Sequence, residues 1–285
     1  MKLPSFEYAS PTTVAEAVAL LAAGGGEAKA ISGGQSLMPI LAFRLAAPKL
    51  LVDLRKIPDL DKITIGADGV RLGARVRWRD IQDDARLRTA HPLLQAAIAH
   101  VAHYQIRNRG TVGGSLAHAD PAAEMPGIAV TCDAEITIVG RGGARTTPAA
   151  KFFVGALSTT LAPDELITEV RLPGWPADRR WGFEEFARRR GDFAMAGVAV
   201  FYDRDERGRA KNAHIGAIGA ASHARRLPAA EAALNGQAVD EATILKAAEA
   251  AAAGVDPSDD IHASAAYRRA LGGTLVERAL ARAAA

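Results

Sequence analysis

Two glycine-rich runs carry the residue types best suited to holding an anion: Ser32-Gly33-Gly34-Gln35-Ser36 and Thr111-Val112-Gly113-Gly114-Ser115. A glycine has no Cβ, so its backbone reaches φ > 0 and a ligand can approach its N–H closely. Consecutive N–H groups in such a turn form a concave nest for an anion. One nest suits one phosphate, and two suit both phosphates of a dinucleotide. A nucleotide cofactor is therefore the leading expectation, with a pair of ligand-free structural turns as the alternative. Thr111 and Ser115 are candidate hydroxyl donors to a pyrophosphate, or local caps of their own turn.

Neither run is followed by Gly-Lys-Ser/Thr and neither fits G-x-G-x-x-G, so the P-loop and Rossmann modes of binding are unsupported. Arg107, Asn108 and Arg109 precede the second run and are candidates to neutralise phosphate, arginine through its planar fork, or form a solvated basic loop. Asp120-Pro121 reads as a helix N-cap with a first-turn proline. Glu124, one turn later, is a candidate acceptor for ribose or ribityl hydroxyls, or a surface carboxylate. His118 has no nucleophile pattern beside it, no G-x-S-x-G occurs, and neither Ser36 nor Ser115 has an evident relay partner. Hydrolase chemistry is unsupported. Cys132 is the only cysteine, which excludes an internal disulfide, a C-x-x-C pair and a Cys-ligated cluster within the chain. The seven histidines show no H-E-x-x-H spacing. No acid–base catalyst and no metal ligand is assigned, and redox chemistry here would need a bound organic cofactor.

The elements that must position these runs are legible in outline. Thr13-Val14-Ala15-Glu16 fits a capping box, and Val14, Ala17, Val18 and Leu21 share a helical face ended by Gly24-Gly25-Gly26. A strand over 28–31 delivers the first run, and Leu37 to Leu41 begins a helix that tolerates Pro39 in its first turn. Leu50–Asp53 reads as a strand, and short β runs about Ile63 and Val70 flank an Asp68-Gly69 hairpin signal. Trp78 to Leu87 and Leu93 to Tyr104 read as helices, and Asp120-Pro121 is expected to open another through about Val130. Ala134–Val139 and Arg145–Thr147 suggest a hairpin. Alternation from Leu166 to Leu172 suggests a half-buried strand. Breakers at 173–176 mark the best domain boundary. Beyond it come β runs at 181–187, 194–202 and 213–220, then alanine-rich helices from about Ala229.

The chain has 285 residues, 49% of them hydrophobic and 24% charged, with 35 basic against 32 acidic side chains. The basic residues are scattered among acids rather than gathered on one aromatic-bearing face, which argues against nucleic acid. The first residues hold no apolar signal core, and no run reaches the ~18 apolar residues a membrane span needs. A cytoplasmic location is the expectation.

Three runs occur in order: Ser32 to Pro39, Ile106 to Pro121, and Arg189-Arg190-Gly191-Asp192-Phe193-Ala194. In these, and over essentially its whole length, the chain resembles the FAD-binding medium subunit of aerobic carbon monoxide dehydrogenase and related molybdenum hydroxylases, the xanthine dehydrogenase family. The resemblance implies an α+β fold. Residues 1–175 would form a two-subdomain FAD-binding domain of the vanillyl-alcohol-oxidase (PCMH) type, split near 55–60. Residues 176–285 would form a smaller α+β domain like the CO dehydrogenase flavoprotein C-terminal domain.

It also implies a non-covalent FAD whose pyrophosphate is wrapped by both runs. Lys29, Ala30 and Ile31 lead into Ser32, Gly33, Gly34, Gln35, Ser36 and Leu37; the second set is Thr111, Val112, Gly113, Gly114 and Ser115. Asp120 stands in the Asp-Pro turn, the family's acidic ligand after that turn maps to Glu124, Leu166 or Ile167 lies near the flavin ring, and Phe193 covers it or is an ordinary core phenylalanine. A large molybdopterin subunit and a small subunit with [2Fe–2S] clusters would pass electrons to the flavin and on to NAD, a quinone or oxygen. The family suggests a dimer of three-subunit units. A self-sufficient FAD-dependent oxidase and a non-catalytic scaffold subunit are the competing readings.

Overall fold

A computed structural model describes residues 2–285. The chain begins with a parallel sheet of β1 (Glu7–Ala9), β2 (Ala28–Ile31) and β3 (Leu50–Asp53), ordered β1-β3-β2. Parallel neighbours need crossovers, here α1 (Val14–Ala23) and α2 (Leu37–Ala42). Thr13 and Glu16 close the expected capping box, and Ala17, Val18 and Leu21 bury against the sheet.

A five-stranded antiparallel sheet follows, built from β4 (Ile63–Gly66), β5 (Gly69–Gly73), β6 (Glu135–Gly140), β7 (Gly143–Pro148) and, last in the chain, β10 (Leu166–Pro173). Its order is β4-β5-β10-β6-β7. Val170 and Leu172 point into the core, while Glu169 pairs with Arg71 at 2.8 Å and Arg171 with Glu135 at 2.8 Å on the other face. From Glu169 on this is the period-2 alternation read from the sequence, whereas a register shift between Ile167 and Glu169 leaves Leu166 and Ile167 both buried. Between β5 and β6 lie α3 (Trp78–Asp83), α4 (Leu87–Ala90), α5 (Pro92–Ile98), α6 (Tyr104–Arg107), α7 (Val112–His118) and α8 (Glu124–Thr131). Between β7 and β10 lie α9 (Ala149–Phe152) and a hairpin of β8 (Phe153–Gly155) and β9 (Ser158–Thr159).

Three helices differ from expectation. The one expected over 78–87 stops at Asp83, because the Asp84 carboxylate accepts the Arg86 amide at 3.0 Å and turns the chain. The one expected over 93–104 stops at Ile98. The Arg107 guanidinium reaches back to the Val101 and Ala102 carbonyls, at 2.9 and 2.8 Å, and Ala102 takes φ 43°. The third starts at Glu124 rather than behind Asp120, as described below.

The C-terminal part is an antiparallel sheet of β11 (Arg180–Phe186), β12 (Ala196–Arg204), β13 (Ala210–Ile218) and β14 (Arg225–Arg226), in that order. α10 (Pro228–Leu234), α11 (Glu241–Gly254) and α12 (Ala265–Ala284) cover one face, over Val198, Val200, Tyr202 and Ile215. The other face meets α8 and the N-terminal part through Phe183, Ala199, Phe201 and Ile218. A strand buried on both faces reads as the continuous apolar run from Ala196 to Tyr202. The arrangement is α+β, as the sequence implied.

Trp175, in the link to β11, stacks between the two parts. Its ring centroid lies 4.5 Å from that of His91 and 5.4 Å from that of Phe201. The Arg179 guanidinium sits over both Trp175 and Phe201, at 5.0 and 4.4 Å, and is held by Asp203 at 2.8 Å. His91 is fully buried and its Nδ1 accepts from the Leu94 amide, so burial pushes its pKa down to about 3 and the ring stays neutral.

Candidate functional site

The first run leaves β2, turns through Gly34 at φ 73°, and enters α2. Gln35 Nε2 donates to the Gly33 carbonyl at 3.1 Å, and the Met38 amide donates to Gly34, which pins the turn from both sides. Ser36 caps α2 without a side-chain hydrogen bond. Among the described residues no acceptor is paired with the amides of Gly34, Gln35 and Ser36. Neighbouring free amides around a residue with positive φ make an anion nest.

The second run is built differently from expectation. Gly113 and Gly114 lie in the first turn of α7 rather than in a turn with positive φ. Thr111 is the N-cap: its Oγ1 accepts from the Gly114 amide at 3.3 Å. The same hydroxyl donates to Ser32 Oγ at 3.1 Å. Thr111 is thus a local cap and also the bridge that ties the two runs together. A Cβ on Gly33 would collide with the Arg109 carbonyl, so the runs meet backbone to backbone. Gly113 packs on Ala74, Val112 is wholly buried in the core, and Gly114 is exposed toward the cleft.

The joined runs form one wall of a cleft of about 1720 Å³, well above the ~300–1,000 Å³ of a drug-sized pocket and ample for a dinucleotide. Lys29, Ala30, Ile31, Ser32, Gly33, Gly34, Gln35, Ser36 and Leu37 all line it, as do Thr111, Gly113, Gly114 and Ser115. Asp120, Glu124, Leu166, Ile167 and Phe193 line it too. Of the residues that the resemblance assigns to the FAD site, only Val112 does not. Leu166 and Ile167 are nearly fully buried and give the cleft an apolar wall, whereas Phe193 is 71% exposed at its edge, not a core residue.

Asp120 does not cap a helix. Its Oδ1 accepts from the Ala122 amide at 2.9 Å and its carbonyl from Ala123, closing a tight turn. The Pro121 carbonyl in that turn accepts from the Gly219 amide of the C-terminal part at 2.8 Å. Glu124 opens α8 in the depth of the cleft, and burial pushes its carboxyl up to about 7, with Asp120 adding and its own amide opposing. Arg107, Asn108 and Arg109 do not line the cleft. Arg107 is spent on carbonyls, and Asn108 accepts from Arg79 at 3.1 Å.

The cationic side chains lining the cleft are instead Lys29, Arg188, Arg189 and Arg268. Arg268 on α12 was missed by sequence reasoning. It is 7% exposed, and its Nη1 donates to the Met195 and Gly219 carbonyls at 2.6 and 3.0 Å. Its Nη2 reaches Asp260, whose carboxyl it holds down to about 2. The pair Arg268-Arg269 in an alanine-rich helix reads as a solvated face, and nothing in the sequence marks which arginine turns inward.

Residues 4–175 match the family described as the FAD binding domain in molybdopterin dehydrogenase, and residues 181–283 the CO dehydrogenase flavoprotein C-terminal domain. The 6-hydroxypseudooxynicotine dehydrogenase complex subunit alpha of Paenarthrobacter nicotinovorans is 42% identical over 283 residues, 99% of this chain and 96% of that one. Among solved structures, the carbon monoxide dehydrogenase from Hydrogenophaga pseudoflava lacking the Mo-pyranopterin moiety of its cofactor superposes with a TM-score of 0.96. It is 38% identical, over 99% of this chain and 98% of the other. Quinoline 2-oxidoreductase from Pseudomonas putida 86 superposes with a TM-score of 0.94 at 39% identity, covering 100% and 98%.

Proposed function

The chain belongs to the family of FAD-binding medium subunits of molybdenum hydroxylases, and on that premise we propose that it carries electrons from a partner's iron–sulfur clusters through FAD to an external acceptor. The observation that supports this reading is the interlocking of two sequence-distant glycine runs along one large cleft. The division of labour that follows gives FAD to this chain, the clusters to a small subunit and the molybdopterin to a large one, with NAD, a quinone or oxygen as acceptor. The domain boundary is assigned to 175/176. No helix is long and apolar enough to cross a membrane.

FAD, when bound, supplies the two-electron redox chemistry, and the chain supplies position and electrostatics. The amides of Gly34, Gln35 and Ser36 hold the pyrophosphate, aided by the start of α7 with its cap Thr111. Glu124 accepts from ribose or ribityl hydroxyls. Leu166 and Ile167 keep water from the ring, and Phe193 at the edge of the cleft covers it. Lys29 and Arg188 add positive charge against the dianion.

Titration of the purified chain with FAD tests the reading, with saturable one-to-one binding and a perturbed flavin spectrum as the expected result. Gly114→Val sharpens it. A Cβ there meets only Thr111 Oγ1 at 2.8 Å and otherwise faces the cleft. The variant is expected to fold, by circular dichroism, and to bind FAD about 100-fold more weakly, some 2.7 kcal/mol. Unchanged affinity would remove the second run from the site.

A further inference from the structure

The face of the C-terminal sheet turned toward α8 is ordered in three cross-strand rows. Trp181, Phe201 and His214 form the first, Phe183, Ala199 and Gly216 the second, and Glu185, Gly197 and Ile218 the third. His214 is accounted for, since its Nδ1 donates to the Thr131 carbonyl at 2.7 Å and its ring stacks on Phe201. Glu185 is not. Its side chain is 3% exposed, and its Oε2 is fully buried with no hydrogen-bond partner. A buried carboxylate left unpaired costs several kcal/mol or more, and the usual escape is to keep the proton.

α8 lies directly across these rows. Thr131 packs on Gly216 and Gly127 on Ile218, contacts so close that a Cβ on either glycine would collide. Glu124 stands three residues before Gly127, on the same helix face. This carries Glu124 past Ile218, toward the end of the sheet where Glu185 stands. Glu124 lines the cleft and Glu185 does not, and the two stand near enough for the charge of Glu124 to push the Glu185 carboxyl up, which sets Glu185 behind that wall.

We propose that Glu185 is a positioning residue for the cofactor: as a neutral carboxylic acid behind Glu124, it lets that wall carry one negative charge, on Glu124, aimed at hydroxyl donors in the cleft. This rests on the reading of Glu124 as an FAD ligand.

The surrounding charges agree. His100 Nδ1 lies 3.8 Å from Glu185 Oε1, but burial pushes the imidazole pKa down, and Arg190 and Arg282 push the same way against Glu184. The neighbouring Glu184 is taken by Arg282 at 2.9 Å. Burial, then the charge of Glu124, pushes Glu185 up to about 8. Asp120 is the charge that faces Glu124.

Below about pH 7 Glu124 takes up a proton and loses the charge that accepts hydroxyl donors. Above about pH 8 Glu185 releases its proton to solvent and adds a second negative charge, which the FAD pyrophosphate repels and the covered cleft desolvates further. FAD affinity therefore has a maximum between the two.

FAD titrations of the purified full chain by flavin fluorescence, from pH 6 to pH 9.5, test this. The expected affinity falls on both sides of the maximum by up to tenfold per pH unit, the limit for one linked proton. Glu185→Gln keeps the acid limb and loses the alkaline one. Glu124→Gln loses the acid limb and moves the alkaline limb to lower pH, because the charge that raised Glu185 is gone. A wild-type affinity flat above pH 8, or an unaltered alkaline limb in Glu185→Gln, overturns the inference. Absence of FAD binding at every pH overturns instead the reading beneath it.

Discussion

Gly33→Val is expected to abolish FAD binding, with affinity lost by more than about 1,000-fold, or some 4 kcal/mol. The reason lies in what a Cβ at that position meets. It would strike the carbonyl oxygen of Arg109, with the Arg109 carbonyl carbon and the Gly110 Cα each 2.9 Å away. All three are backbone atoms, so no side chain can swing aside. Two runs with no separation to spare would have to part, and the 3.1 Å bond from Thr111 to Ser32 would break. Overpacking of this kind costs about 1–3 kcal/mol of stability, so the variant is expected to fold at reduced melting temperature. Fluorescence titration of FAD beside a thermal melt separates the two effects. Affinity within tenfold of the wild type would refute the interlocked arrangement as the basis of the site.

Phe201→Ala is expected to be the most destabilising single change at the junction of the two parts, at about 3–5 kcal/mol in urea unfolding. Phe201 is 3% exposed and packs against the link to β11 and against β13. Trp175 meets its edge, His214 stacks on it with centroids 4.3 Å apart, and Arg179 lies over its face. Removing the ring leaves a cavity and strips the guanidinium of one of its two aromatic supports. Phe201→Leu refills most of the volume and should recover most of the loss. A cost under about 1 kcal/mol for the alanine variant would mean that Trp175 and His91 hold the junction without it.

The contrast between these sites explains how much the sequence disclosed. β2, the first run and the start of α2 were legible, because an apolar strand, a glycine pair and a proline in the first turn are local signals. The capping box at Thr13 and the strand from Leu166 were legible for the same reason. The end of α5 was not, since it is set by Arg107 reaching back from the next helix, and arginine at that spacing has no fixed reading. Arg107 is a candidate phosphate partner on composition, but its Nη1 donates to two backbone carbonyls and it does not line the cleft. Asp120 looked like a cap, but its carboxylate closes a turn whose other end is tied to Gly219. Burial of Glu185 and Arg268 is a tertiary property. In sequence each is one charge within a charged pair, and only the packing decides which member turns inward.

Arg268 also orders events in time. It lies on α12, yet it fastens Met195 and Gly219, which line the cleft. On the ribosome both glycine runs emerge long before α12, so the nascent chain presents them while one wall of the cleft is still unfastened. A chain released without α12 is expected to retain no FAD after gel filtration, and retention would show that the cleft closes without that helix. Loss of flavin from that chain would place cofactor loading after translation of α12 and make flavin content a report on whether the whole chain has folded.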